Sequence, residues 1–107
     1  MRASIDEDEI GVVLARLVLY ATKDGKDAIE VLEKTVGCLY CMGAEPRPFI
    51  KHHGSAALNC IVKAIVAGLG EEVASISELK CDDDGFRSWR RVLRHAQRVV
   101  RQRMSDR

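Results

Sequence analysis

The sequence predicts an all-α fold, and three observations carry that expectation. Apolar residues recur at helical spacing: Val31, Thr35, Leu39 and Met42 fall on one face, as do Leu58, Ile61, Val62 and Ile65. No stretch alternates with a period of two, and no Asn-Gly hairpin signal occurs. The two prolines, Pro46 and Pro48, lie outside the periodic segments, where they break no helix. A chain of 107 residues is long enough for one modest core, here assembled from about five to six helices.

Ser4 and Glu7 have the spacing of a capping box, so a first helix begins near Ile5. It runs through Ile10, Val13, Leu14, Leu17 and Val18 to Thr22, and Lys23, Asp24 and Gly25 end it. Asp24 is available to cap a second helix over 26–42. Gly43 suits the left-handed position after that helix, and Pro46 suits the first position of the next. A short helix over 47–53, a tight bend at Gly54 and a third helix over 55–68 follow. Glu71 and Glu72 open a shorter helix to Lys80, their charge matching a helix N-terminus. Cys81, Asp82, Asp83, Asp84 and Gly85 form a loop and cap before an amphipathic basic helix from Phe86 to Met104.

A repeat underlies this order. Gly11 precedes Leu14, Leu17 and Val18, and Gly54 precedes Leu58, Ile61 and Val62. The helix start at Ile29 and Val31 recurs at Val73, about 42 to 44 residues on, a period typical of helical solenoids. Residues 10–80 resemble an armadillo-type repeat. The match runs through Val31, Thr35, Leu39 and Met42, then Arg47 to Ile50, then Gly54, Leu58, Ile61, Val62 and Ile65, then Glu71 to Val73. The resemblance implies a non-enzymatic array whose third helix lines a peptide-binding groove. The segment after Val73 is short for that pattern, and about two copies are present where solenoids use three or more. A second set of residues (Ile5, Asp6, Gly11, Leu39, Tyr40, Glu45, Pro46, His52, His53, Ala57 and Leu58) looks like the first half of a hepadnavirus-type core protein. That resemblance implies a dimeric helical hairpin and an arginine-rich segment that packages nucleic acid.

Net charge is +1, but its distribution is lopsided. The acidic helical-repeat part, 1–85, holds nine Lys/Arg against fifteen Asp/Glu; the C-terminal part, 86–107, holds eight Arg against one Asp. Such asymmetry fits a binding segment or internal neutralisation. Projected as a helix, Arg87, Arg91, Arg94, Arg98 and Arg101 lie within about 40° of one line, with Arg90 at the edge. Trp89, Val92, Leu93, Ala96, Val99 and Val100 fall opposite, and only Arg103 breaks the pattern. Every cation is arginine and no glutamate interleaves; arginine forks suit carboxylates and phosphates. These six arginines are the candidate partner-binding face.

Cys38, Cys41, His52, His53 and Cys60 have the residue types of a zinc site. Leu39 and Met42 claim the neighbouring face for the core, so structural cysteines are the simpler expectation, and a thiol-redox role needs a basic partner or a helix N-terminus that Cys38 and Cys41 lack. Asp82 to Asp84 fail as a calcium loop, because the twelfth position is Leu93. No cofactor is expected. The acidic run Asp6 to Glu9 differs from a secretory leader, four cysteines suit a reducing compartment, and no run reaches a membrane span; an intracellular chain is expected. The reading is a single all-helical domain over 1–107, an adaptor or small subunit that binds a protein partner or itself, with nucleic acid as the alternative partner of its C-terminal helix.

Overall fold

Helix boundaries follow local punctuation. The computed structural model describes residues 7–23, 27–43, 46–70 and 72–105, with side chains at 7–8 and 47–57 outside the description. Helix α1 spans Glu7–Thr22, α2 Ala28–Cys41, α3 Pro46–Leu69 and α4 Asp84–Ser105, with a 3-10 turn at Ile76–Glu78. No strand occurs among the described residues. Lys23, at φ 63°, ends α1 in the left-handed region while its N–H still bonds the Leu19 carbonyl at 2.9 Å. Gly43, at φ 79°, ends α2 as expected and donates to the Tyr40 carbonyl at 2.9 Å. Pro46 opens α3, where a missing N–H costs nothing. The capping pair at Ser4 and Glu7 and the cap at Asp24 lie outside the described residues or side chains.

The all-α class holds; four α-helices occur among the described residues, and they do not confirm the expected division into five to six armadillo-like helices. No bend occurs at Gly54: α3 runs through it unbroken. A lone glycine costs a helix about 1 kcal/mol, less than cooperative propagation and packing on either side supply. The helix expected over 71–80 shrinks to the 3-10 turn, because tertiary packing holds this passage extended. Ser75 has ψ 157°, and Ile76 reaches the core at 1% exposure. The chain here crosses α2 directly over Gly37; a Cβ at that position would stand 2.8 Å from the Ala74 carbonyl oxygen and 2.9 Å from the Ile76 nitrogen.

The core joins both ends of the chain. Helix α1 packs chiefly on α4, and α2 packs on α3 and α4. Ile10, Leu14, Ala15 and Val18 meet Trp89, Val92, Ala96 and Val100, all essentially without solvent contact. Gly11 lets the two backbones approach, since a Cβ there would lie 3.0 Å from the Val92 carbonyl oxygen. Gly11 is thus a helix-crossing point. The two expected apolar faces are met in part. On α3, Ile61, Ala64 and Ile65 are buried while Leu58, Val62, Val66 and Leu69 stand about half exposed or more; Val31, Thr35 and Leu39 of α2 are buried, and Met42, just past its end, is exposed. Lys34 ties α2 to the end of α3 through the Gly70 carbonyl at 3.0 Å, and Ser77 donates to Glu33 at 3.0 Å.

Candidate functional site

The start of α4 is fixed before its surface is presented. Asp83 is the N-cap: its Oδ1 accepts the Phe86 N–H at 2.8 Å, and its carbonyl accepts the first helical bond from Arg87 at 3.1 Å. The other carboxylate oxygen accepts a short hydrogen bond from the Tyr40 hydroxyl, and the Tyr40 ring meets Phe86 edge to face at 5.4 Å between centroids. The Tyr40 bond, followed by the Phe86 N–H, lowers the Asp83 pKa below its ordinary 3.8. The same bond, followed by contact with Cys81, raises that of Tyr40. The loop before α4 is thereby clamped to the end of α2.

Beyond this clamp the arginines stand outward. Arg87, Arg90, Arg91, Arg94, Arg98 and Arg101 are all exposed, and the opposite face of α4 is buried, as its periodicity predicted. Arg87 pairs with Asp84 at 2.6 Å and Asp82 at 3.2 Å, and these carboxylates, Asp84 first, raise its pKa further. Arg90 lies over the Phe86 ring at 5.8 Å, and Arg91 donates to Ser88 at 3.3 Å. Among the described residues no carboxylate lies within ion-pair distance of Arg90, Arg94, Arg98 or Arg101. Arg103 is exposed off the stripe.

The face is concave at its N-terminal end. A depression of about 340 Å³ is lined by Arg87, Arg90, Arg91 and Arg94, together with Phe86, Cys81 and Asp82. The arginines were legible from spacing alone. Cys81 and Asp82 were not, although one signal was available: a loop that ends in a capping aspartate must fold back beside the first turn it caps.

The cysteine and histidine set is dispersed. Cys38 is half-buried on α2, and burial, then the neighbouring Cys41, raises its thiol pKa, which disfavours the reactive thiolate. Cys60 is half-buried on α3, Cys41 and Cys81 are exposed, and no disulfide joins these four. The side chains of His52 and His53 lie outside the described residues. Among the described residues no three Cys, His, Asp or Glu side chains converge to hold a metal.

No family model, curated protein or solved structure matches the chain. Among the described residues no helix is long and apolar enough to cross a membrane. The site's own geometry therefore carries the functional reading.

Proposed function

We propose that this protein is a non-enzymatic helical interaction module, an adaptor or small subunit that docks an acidic protein segment on the arginine face of α4. One observation carries the reading: a row of exposed guanidinium groups, most without a counter-ion among the described residues, on a helix whose other face is core. Guanidinium groups stay charged and cannot exchange protons near neutral pH, so the face offers recognition in place of acid–base chemistry. The armadillo-like arrangement would place peptide binding in a groove of the third helix; the unbroken α3 gives that location no support, and the module is assigned to α4 instead.

A protein partner suits the charge better than nucleic acid does. The whole chain carries only +1, whereas nucleic-acid domains are usually strongly basic and attract their ligand over long range. Asp82 and Asp84 also close one end of the stripe with exposed negative charge. The test changes Arg91, Arg94 and Arg98 together to glutamate. Binding of a fluorescent glutamate-rich peptide should be lost while the melting temperature holds. A parent chain that ignores the peptide yet binds duplex DNA, with about one unit of log–log salt slope per phosphate contact, would move the module to the nucleic-acid reading.

A further inference from the structure

We infer that the depression at the N-terminal end of the arginine face is a pocket for a phosphate monoester, carried as a phosphorylated side chain on the acidic partner segment. This deepens the interaction reading and rests on it. Within the depression, Arg87 is already compensated by Asp82 and Asp84, while Arg90 and Arg94 have no carboxylate at ion-pair distance among the described residues. With Arg91 counted, the four arginines and the two aspartates leave a net formal charge of about +2, which matches one group of charge near −2. A phosphomonoester supplies about −1.5 to −2 at neutral pH, with three strong acceptor oxygens, where a carboxylate or a phosphodiester supplies only −1.

The spacing suits one tetrahedral group. Arg87 is three and four residues from Arg90 and Arg91, and Arg94 is four and three residues beyond them, so neighbouring turns of one helix bring the four guanidinium forks to the lining of one depression. Arg90 is held over Phe86 and Arg91 against Ser88, so two of the forks are pre-positioned before any ligand arrives. The pocket also has a closed end. Asp82 forms its rim and Asp84 stands beside Arg87, so a continuous polyanion passing through would meet like charge. A ligand that places a terminal dianion here and runs its acidic chain the other way follows Arg98 and Arg101, which have no carboxylate at ion-pair distance among the described residues.

The probes are a short glutamate-rich peptide with one central phosphoserine, its unphosphorylated form, and a single-stranded oligonucleotide with or without a 5′-phosphate. The full-length parent should bind the phosphopeptide at least about tenfold more tightly than the unphosphorylated peptide, the difference expected of charge-assisted hydrogen bonds. Arg90→Gln and Arg94→Gln should erase that ratio. Arg101→Gln, outside the depression, should weaken both peptides alike and keep the ratio. Arg94→Lys, which retains the charge but not the fork, should lose most of it. Equal affinity for the two peptides overturns the phosphate pocket and leaves the interaction reading standing; no binding of either peptide overturns both. Preference for the 5′-phosphorylated oligonucleotide over the phosphopeptide overturns the assignment to a protein ligand.

Discussion

Asp83 serves two partners at once, the Phe86 N–H and the Tyr40 hydroxyl, and so joins the start of one helix to the end of another. Its carboxylate has a lowered pKa, so its contribution to stability is complete above the ordinary 3.8 and fades as the pH falls through the lower folded value. Tyr40 has a raised pKa; its contribution is complete below the ordinary 10.0 and fades as the pH rises toward the folded value. Asp83→Ala should therefore lower the melting temperature at neutral pH, and its deficit against the parent should shrink in strong acid. Tyr40→Phe removes the donor of the same bond, so its deficit should shrink both in strong acid, as Asp83 protonates, and in alkali, as Tyr40 ionises in the parent. A pH-independent deficit in both variants would mean that the clamp does not form in solution. Thr35 offers the opposite outcome. Its hydroxyl is fully buried with no hydrogen-bond partner among the described residues, so Thr35→Val should raise stability by about 1 kcal/mol in urea titrations. The cap at the acidic loop was readable, because aspartate before an amphipathic run is a local signal. The Tyr40 contact was not: its two residues are 43 positions apart.

Among the elements, legibility depended on how sharply each pattern divides. Arginine and apolar residues alternate cleanly along α4, so its buried face and its site face could both be named from spacing. Along α3, Leu58, Ile61, Val62, Ala64, Ile65, Val66 and Leu69 are apolar nearly all round, so periodicity cannot choose a face and the expected one was half wrong. Ile61→Ala should cost about 2–5 kcal/mol. Val62→Lys and Val66→Lys should each fall within about 0.5 kcal/mol of the parent, because they replace exposed side chains. A large loss in either lysine variant would place that stripe under cover in solution. The passage over 72–80 failed as a helix for a different reason: its conformation is set by contact with α2 at Gly37, which no local propensity reports. Gly37→Ala puts a methyl group against backbone that cannot swing aside, and a loss of about 1–3 kcal/mol is expected by chemical denaturation.

For the whole molecule, the charge split and the packing must be read together. An acidic body and an arginine-rich end could be two separable parts, with the end free to neutralise the body. The ion pairs of α4 argue otherwise: among the described residues Arg87 pairs with Asp82 and Asp84, its neighbours in sequence, and the arginines of the stripe are exposed. The radius of gyration, 12.9 Å, is that of a folded chain of this length with no trailing helix. Helix α4 is instead a central strut, and its apolar face fills the space between α1 and α2. A chain ended at Gly85 would lose Phe86, Trp89, Val92, Leu93 and Val100 from the core, each at 5% exposure or less. At about 1.5–3 kcal/mol per large apolar side chain, the loss is comparable to the about 5–15 kcal/mol that holds a typical domain together. Residues 1–85 alone should therefore show no cooperative urea transition by circular dichroism. Adding a peptide of residues 86–107 in trans should restore helical signal in a saturable way. A sigmoidal transition from residues 1–85 alone would separate the acidic body from α4 after all. If the transition is absent, the arginine face is carried on a helix that the fold itself requires, so its guanidinium groups are held in register by the core before any partner binds.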